Sequence, residues 1–340
     1  MSKEKIRYGL IGLGGICMAH EWGYREKTDR MQITAVCDIN APLAESRAKT
    51  YQAKAYTNYQ QLIEDPNVDV VDITLPHTLH YQVAKYALEH KKHVIMEKPL
   101  TIKPEEGLDL IQIGKNSGVK FTVAENTRFV KAYLEAEKLI QQGKLGEPRF
   151  IRTFISGSEV YRLKITDNWK GRLDGTGGGA ILDAGAHSLY LLKWLVGEID
   201  EVVAYGTKFV DVSQVEDGGI VTGRAKNGAF FSTEFSFIVE APWNERLEYH
   251  GSEGSIIIDQ LNNPPAIFYK GGRDIKGTPL EVEYEPLLWK IKSITDGVKD
   301  FVDAIWEDRP PKVDPMDAYY AVKIIEKAYE SASSIQPVKI

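Results

Sequence analysis

The first 125 residues alternate short apolar runs rich in β-branched residues with helical patterns. This alternation is typical of βαβ units, in which parallel strands form one sheet and the connecting helices cover its faces. We predict strands at residues 6–11, 32–38, 69–74, 93–96 and 120–124. We predict helices between them at residues 16–27, 43–51, 58–64, 79–90 and 104–116. This part of the chain is therefore expected to be a doubly wound α/β domain.

The pattern changes near Asn126. A helical pattern at residues 130–142 is followed by strand-like runs, and the tight turn Lys226-Asn227-Gly228-Ala229 indicates antiparallel pairing. The predicted strands are residues 150–156, 202–209, 219–225, 229–237, 247–249 and 255–258. The predicted helices are residues 180–195, 291–306 and 315–332. Since 340 residues also suit two domains of roughly 100 to 200 residues, we expect one domain over residues 1–125 and a second over residues 126–340.

A glycine-rich turn, residues 12–17, joins the first predicted strand to the first predicted helix. A dinucleotide site needs a tight turn at the first glycine, here Gly12, and no side chain at the second, here Gly14, so that backbone N–H groups reach a pyrophosphate. Cys17 stands where Gly or Ala is usual, and we expect it to be a buried packing thiol. Asp38 ends the second predicted strand, where a carboxylate accepts hydrogen bonds from the ribose and repels a 2'-phosphate. We therefore expect NAD rather than NADP. The alternative is a simple turn beside a surface acid.

Composition argues against several classes of function. The chain is 43% hydrophobic and 26% charged, as ordinary globular proteins are, and its formal net charge of -6 provides no basic surface for nucleic acid. Two cysteines, Cys17 and Cys37, are too few for a disulfide framework and suit a reducing compartment. The N-terminus lacks the features of a signal peptide, and no apolar run is long enough to span a bilayer. We expect a cytoplasmic protein with neither a nucleic-acid nor a membrane partner.

Three further segments, taken with the glycine turn, complete a pattern. They are Thr-Leu-Pro-His-Thr-Leu-His at residues 74–80, Glu-Lys-Pro at residues 97–99, and Gly-Gly-Gly-Ala-Ile-Leu-Asp-Ala-Gly-Ala-His at residues 177–187. In these segments the chain resembles the Gfo/Idh/MocA family, the relatives of glucose-fructose oxidoreductase and inositol dehydrogenase. The resemblance covers nearly the whole chain. Many folds share the glycine turn, whereas Glu-Lys-Pro followed by Asp-x-x-x-His is specific.

The resemblance implies an N-terminal Rossmann domain with a doubly wound parallel sheet, which binds NAD. It implies a C-terminal α+β domain with a large, mostly antiparallel open sheet, which binds substrate and forms a homodimer or homotetramer. The implied reaction is hydride transfer between the nicotinamide and a secondary alcohol of a sugar, an inositol or a glycoside. The predicted cofactor-binding residues are Gly12, Gly14, Gly15, Ile16, Asp38, Thr74, Pro76, His77, His80, Glu97 and Lys98.

The same resemblance places Lys98, Asp183 and His187 at the nicotinamide and the reacting carbon. Two positions differ from the family pattern: Tyr190 stands where Asp is common, and His77 where Asn is common. Because these positions face the sugar or the cofactor ribose, the identity of the substrate is left open. The predicted substrate-binding residues are Lys98, Arg128, Trp169, Lys170, Arg172, Asp183, His187 and Tyr190.

The predicted catalytic residues are Lys98, His187 and Asp183. An alcohol loses its proton as hydride moves to the nicotinamide, so a base must be within hydrogen-bond reach of the oxygen. Lys98 follows a parallel strand, at the edge where ligands of such sheets bind, and desolvation favours its neutral amine. Asp183 and His187 are four residues apart on one face of a predicted helix. We expect His187 to be the general base and Lys98 to bind the same hydroxyl, with Asp183 holding the imidazole or bonding the substrate. The reverse assignment and purely structural roles are the alternatives.

Residues 159–174 are rich in polar and aromatic side chains, which suits a loop that holds a polyol; a solvated loop is the alternative. The glycines at 175 and 177–179 are expected either to approach the substrate closely or simply to form a turn. His20 and His80 lie on early helices, and for both the sequence favours a structural role.

Three other functions are compatible with these residues. Transient oxidation could drive glycoside cleavage, in which case NAD is recycled. Asp183 and His187 could be metal ligands, although the spacing shows no third ligand, so we expect no metal. The chain could be a non-catalytic dinucleotide-binding regulator, which the presence of both Lys98 and His187 argues against.

Overall fold

The computed structural model describes residues 4–165 and 168–340. Two short segments lie outside the described residues: Met1 to Lys3, which belong to the N-terminus tested for a signal peptide, and Thr166 and Asp167 of the predicted substrate loop. The chain divides into two units: residues 1–126 with 291–319, and residues 127–290 with 320–340. The predicted second domain, residues 126–340, differs from this division because residues 291–319 belong to the first unit.

The first unit is built on a six-stranded sheet. Its strands are β1 (Ile6–Ile11), β2 (Met31–Cys37), β3 (Lys54–Tyr56), β4 (Val70–Ile73), β5 (His93–Met96) and β6 (Phe121–Val123). The order is β3-β2-β1-β4-β5-β6, and every pair is parallel. The strand order reverses between β1 and β4, and in such sheets ligands bind at that point, beyond the carboxyl ends of the strands. The predicted doubly wound fold is confirmed.

Helices connect these strands. They are α1 (Gly15–Arg25), α2 (Ala41–Tyr51), α3 (Tyr59–Ile63), α4 (His80–Glu89) and α5 (Pro104–Ser117). The last of them begins with a proline, carries Glu105 and Glu106 in its first turn, and ends at Gly118, whose φ is +68°. Proline needs no amide partner at that position, the acids face the positive end of the helix dipole, and glycine accepts the left-handed conformation.

The core of the first unit explains why residues 291–319 belong to it. Tyr8, Leu10 and Val70 pack in one buried cluster with Phe301 and Val302, which lie on the later helix. Each such side chain contributes roughly 1.5–3 kcal/mol through its burial. Lys27 Nζ also lies 2.7 Å from Asp303 Oδ2. These contacts join residues almost 300 positions apart in the chain, which periodicity does not reveal.

The second unit contains a nine-stranded sheet. The strands are β7 (Pro148–Ser156), β8 (Ile199–Thr207), β9 (Gly218–Ala225), β10 (Phe230–Ser236), β11 (Asn244–Gly251), β12 (Ser255–Asp259), β13 (Ala266–Tyr269), β14 (Thr278–Pro279) and β15 (Val338–Lys339). Their order is β14-β13-β12-β11-β7-β10-β9-β8-β15. Neighbours are antiparallel except β7 and β10, which are parallel. The predicted mostly antiparallel sheet is confirmed, including the β9–β10 turn, where Gly228 has a φ of +90°.

The remaining helices are α6 (Lys131–Gln141), α7 (Val160–Leu163), α8 (Leu173–Thr176), α9 (Ala180–Asp183), α10 (Gly185–Leu195), α11 (Trp289–Trp306) and α12 (Pro315–Ser334). The predicted helix at residues 180–195 is divided at Ala184, which keeps helical angles of -82° and -33°. Of the helices in the described ranges, none combines the length and the apolar content that crossing a bilayer requires.

Candidate active site

The glycine turn of the first unit is open on the side where a ligand would approach. Gly12 has a φ of +86°, and a Cβ there would lie 2.6 Å from the carbonyl oxygen of Thr74, so only glycine fits. At Gly14 and Gly15 a Cβ would meet no described atom within 4 Å other than those of the adjacent residues and of the helix's own backbone. Among the described residues, no side chain caps the first turn of α1 at Gly14. The backbone N–H groups at this helix N-terminus therefore suit an anion such as a pyrophosphate. Ile16, the next predicted cofactor residue, is exposed here.

Asp38 is fixed beside this turn. Its Oδ2 accepts a hydrogen bond of 2.8 Å from the backbone N–H of Leu13, and its Oδ1 accepts one of 2.9 Å from that of Asn40. The carboxylate is half-buried directly after β2. The carboxylate therefore has a defined position at the edge of the turn, and its oxygens can accept further hydrogen bonds.

The segment after β4 contacts the glycine turn as well. Thr74 Oγ1 donates to the carbonyl oxygen of Gly12. Pro76 precedes a short 3-10 turn that His77 begins, and His77 is buried. These residues lie at the same edge of the sheet as Asp38, where the strands end.

His80 has a structural position. It is completely buried, and its Nδ1 and Nε2 lie 2.8 Å and 3.0 Å from the carbonyl oxygens of Pro99 and Leu75. Burial lowers the pKa of His80 by more than the two carbonyl oxygens raise it. Since both ring nitrogens face backbone atoms, His80 joins the loop after β4 to the loop after β5, which favours the structural role over cofactor binding.

Glu97 and Lys98 follow β5. The backbone N–H of Glu97 donates to Ile73, and Glu97 Oε2 accepts from the backbone N–H of Lys98 at 3.2 Å. Glu97 is buried, and its Oε1 lies 3.0 Å from Nε2 of His20. Lys98 is half-buried at the carboxyl edge of the sheet. No sequence motif links His20 to Glu97, although His20 lies with Cys17 and Tyr24 on the buried face of α1.

In the second unit, the glycines before α9 pack against protein. A Cβ at Gly179 would lie 1.8 Å from the carbonyl oxygen of Glu216. Glu216 Oε1 accepts hydrogen bonds from the backbone N–H groups of Gly179 and Ile181, at 3.0 Å and 3.1 Å, and from the Tyr329 hydroxyl at 2.7 Å. Burial raises the pKa of Glu216 despite these donors. Glu216, which no sequence motif marks, therefore holds the start of the helix that ends in Asp183.

Asp183 is paired with a lysine from the predicted substrate loop. Its Oδ2 lies 2.9 Å from Lys170 Nζ. His187 is buried on α10, and its Nδ1 lies 3.4 Å from Thr127 Oγ1. Because Ala184 stays helical, Asp183 and His187 keep the predicted spacing of one helical turn.

A second carboxylate lies within electrostatic reach of His187. Glu245 is buried on β11, and its Oε1 lies 2.9 Å from Lys290 Nζ and 3.0 Å from the indole Nε1 of Trp243. Burial alone would raise the pKa of Glu245, but Lys290 and His187 outweigh this effect and lower it. No sequence motif marks Glu245, and the strand predicted from the sequence, residues 247–249, begins after it.

The other predicted substrate residues have different surroundings. The Arg128 guanidinium stacks 3.9 Å from the Trp194 ring and pairs with Glu137 at 3.0 Å. Arg172 forms two hydrogen bonds with its neighbour Asp174. Trp169 begins the 3-10 turn Trp169–Gly171, and Tyr190 is 1% exposed. The structure thus brings Lys170 to Asp183 and gives Arg128 and Arg172 acidic partners of their own.

Both cysteines are buried, and burial raises the pKa of each thiol. Cys17 belongs to the apolar core, which confirms that it is a packing residue. Within residues 4–165 and 168–340, no group of three or more His, Cys, Asp or Glu side chains is arranged to hold a metal ion.

Two family models match the chain. One, described as an oxidoreductase family with an NAD-binding Rossmann fold, matches residues 6–125. The other, described as the GFO/IDH/MocA C-terminal domain, matches residues 133–257. These matches confirm NAD as the cofactor of the N-terminal fold.

Known proteins resemble the chain over most of its length. It is 26% identical to myo-inositol 2-dehydrogenase of Thermotoga maritima, over 98% of each chain. It is 30% identical to dTDP-3,4-didehydro-2,6-dideoxy-alpha-D-glucose 3-reductase of Streptomyces violaceoruber, over 77% of this chain and 75% of that one. The solved structure of levoglucosan dehydrogenase in complex with NADH and L-sorbose superposes with a TM-score of 0.90 at 23% identity, over 99% of both chains, and so shares the fold. These findings confirm the resemblance seen in the sequence motifs: the chain belongs to the GFO/IDH/MocA family of NAD-dependent oxidoreductases.

Proposed function

We propose that the protein transfers hydride between NAD, used in preference to NADP, and a secondary alcohol of a sugar, an inositol or a glycoside. The relatives described above support a substrate of this class, since their names specify myo-inositol, a dTDP-sugar and levoglucosan. The observation that carries the proposal is the open glycine turn with the ordered carboxylate of Asp38 at its edge.

The charge of Asp38 supports the proposed preference for NAD. Its carboxylate is held by the backbone N–H groups of Leu13 and Asn40, which fix it at the edge of the glycine turn. An adenosine ribose offers hydroxyl donors to such an acceptor, whereas a 2'-phosphate would bring negative charge against it. When bound, NAD supplies the hydride acceptor of the reaction.

We assign the proton transfer to His187. It takes the hydroxyl proton as general base, and the buried carboxylate of Glu245 stabilises the imidazolium that this step produces. Lys98 binds the hydroxyl oxygen and stabilises the developing alkoxide. Asp183, paired with Lys170, orients the hydroxyl groups of the substrate. In the reverse assignment Lys98 is the base and His187 stabilises the alkoxide.

We further propose that the protein forms a homodimer or a homotetramer through its nine-stranded sheet. Phe150, Tyr205, Ile220 and Phe230 are exposed on strands of this sheet, each at 43% or more of its surface. Apolar side chains clustered on an open sheet suit a partner surface. Light scattering after size exclusion tests this proposal, and a monomeric mass at micromolar concentration would contradict it.

A panel of inositols, aldoses and glycosides, each offered with NAD and with NADP, tests the activity. We expect NADH to form in a one-to-one ratio with the oxidised product of at least one member, with a higher kcat/KM for NAD. Glycoside cleavage without accumulation of NADH would indicate recycled cofactor instead. The absence of turnover with every member, or equal use of both cofactors, would contradict the proposal.

A further inference from the structure

The first helix after the glycine turn carries a completely buried histidine between two acids. His20 lies in the second turn of α1. Its Nδ1 is 2.8 Å from Asp72 Oδ2, on the central strand β4, and its Nε2 is 3.0 Å from Glu97 Oε1, directly after β5. The hydroxyl of Tyr24 also donates to Asp72 Oδ2, at 2.8 Å.

This geometry favours a charged imidazole. An ionised carboxylate only accepts hydrogen bonds, and an imidazole that donates to two such groups carries a proton on both ring nitrogens. Burial by itself would lower the pKa of His20, but Asp72 and Glu97 more than reverse that effect and raise it to about 10. The ring is therefore an imidazolium throughout the neutral pH range.

A buried cluster of charged groups adds little to the stability of the folded chain. Removing three charges from water costs several kcal/mol per ion, and apolar replacements of buried ion pairs are often equally or more stable. The cost is higher here because Asp72 Oδ1 is buried with no hydrogen-bond partner in the described part of the chain. A role in ligand binding explains the cluster better, because Glu97 lies at the carboxyl edge of the sheet, beside Lys98.

We propose that His20 is a positioning residue: it fixes the Glu97 carboxylate, and through it the Glu97–Lys98 peptide, for the nicotinamide end of NAD. The inference rests on the proposed function. His20 holds Oε1 of Glu97, and the remaining oxygen, Oε2, accepts the backbone N–H of Lys98. The side chain of Lys98 thus starts from a backbone whose position the His20 ion pair determines.

The two ends of the cofactor should respond differently to the loss of His20. We assign the adenosine end to the glycine turn and Asp38, at the ends of β1 and β2. The hydrogen-bond partners of the His20 ring, Asp72 and Glu97, belong to neither of these two features. The His20 contacts lead instead to β4 and to the end of β5. ADP, which lacks the nicotinamide, therefore reports on the first region, and NAD reports on both.

The experiment compares His20→Gln with Tyr24→Phe. The control removes a donor to the same Asp72 oxygen from the same buried cluster but leaves His20 and Glu97 joined. We measure Kd for NAD and for ADP by calorimetry, and kcat with a substrate from the panel. In His20→Gln we expect the Kd for NAD to rise about tenfold, as the loss of one charge-assisted hydrogen bond implies, with an unchanged Kd for ADP. We expect kcat to fall on the order of tenfold to a hundredfold, because misplacement of a catalytic group has such effects. Tyr24→Phe should match the parent in all three values.

A purely structural role of His20 predicts equal effects on NAD and ADP, or none, and either result would overturn the inference. If His20→Gln does not fold, Asp72→Asn is measured in its place. The amide oxygen of the new side chain still accepts a hydrogen bond from His20, whereas the negative charge of Asp72 is lost. We then expect the Kd for NAD to rise by a smaller factor while the Kd for ADP stays unchanged. A Kd for NAD equal to that of the parent would overturn the inference. A parent protein that binds ADP but shows no NAD binding or turnover would contradict the proposed function itself.

Discussion

Lys170 Nζ lies 2.9 Å from Asp183 Oδ2, which joins the 3-10 turn of the predicted substrate loop to the helix that precedes His187. The side chains of Lys170 and Asp183 are 29% and 11% exposed, so the pair is shielded from most of the solvent. Both residues were predicted to bind substrate, but their contact was not. A substrate hydroxyl group at Asp183 would therefore contact a carboxylate whose position the ion pair with Lys170 fixes.

Replacing Lys170 with Met tests this pairing. Met keeps the apolar stem and removes the cation, which leaves the Asp183 carboxylate without its ion pair to Lys170. We expect KM for the polyol to rise on the order of tenfold, since one charge-assisted hydrogen bond is worth about 1.5–3 kcal/mol. Lys164→Met, at an exposed position of the same segment, is the matched control. Steady-state kinetics at saturating NAD measure the effect, and an unchanged KM would show that the pair does not act on substrate.

Asp38→Asn tests the choice of cofactor. The amide still accepts a hydrogen bond from the Leu13 backbone but carries no negative charge against a 2'-phosphate. We expect the ratio of kcat/KM for NAD to that for NADP to fall about tenfold, a change of about 1.4 kcal/mol. Asp29→Asn, on a surface loop away from the turn, serves as the control. If the variant keeps the parental ratio, Asp38 does not determine the cofactor specificity of the enzyme.

Lys98→Ala and His187→Ala test the assigned acid–base groups. General acid–base groups contribute about a hundredfold to ten-thousandfold, so we expect each variant to lose on the order of a hundredfold or more in kcat. His90→Ala, at an exposed position at the end of α4, controls for the loss of an imidazole. A kcat within a few-fold of the parent in either variant would exclude the assigned role for that residue.

Glu245→Gln tests the electrostatic support of His187. In the proposed mechanism Glu245 stabilises the positive charge that forms as His187 takes the hydroxyl proton. The neutral amide of glutamine removes this stabilisation, so we expect kcat to fall on the order of tenfold, measured by steady-state kinetics at saturating NAD and substrate. Glu248→Gln, on the opposite face of β11, is the control. A kcat equal to that of the parent would contradict this role of Glu245.

The buried cluster at His20 predicts how stability depends on pH. The pKa of His20 is about 10 in the folded chain, against 6.5 for an ordinary histidine. Its contribution to folding is therefore complete below about pH 6.5 and is lost progressively as pH rises through about 10. Between about pH 7 and 9, we expect the free energy of unfolding in urea to fall relative to His20→Gln, by up to about 1.4 kcal/mol per pH unit. If the free energies of unfolding of the parent and of His20→Gln changed equally with pH, His20 would not be charged in the folded state.

Much of the first unit could be predicted because its signals are local. Five of its strands were predicted to within one residue at each end, since each is an apolar run bounded by turn residues. The strands Lys54–Tyr56, Thr278–Pro279 and Val338–Lys339 were missed, because they are short and, unlike the equally short Phe121–Val123, do not lie in an apolar run. Ala266–Tyr269 was missed as well, although it is longer.

The sequence by itself determined the doubly wound fold, the position of the glycine turn, and the family, because periodicity, glycine positions and short motifs are properties of neighbouring residues. Only the tertiary structure decided that Lys170 pairs with Asp183, that Glu216 holds the start of α9, and that His20 links Asp72 to Glu97. It also assigned residues 291–319 to the first unit. The physical reason is that a charged side chain looks the same in a sequence whether it is solvated or buried; its partner is chosen by the packing of segments far apart in the chain.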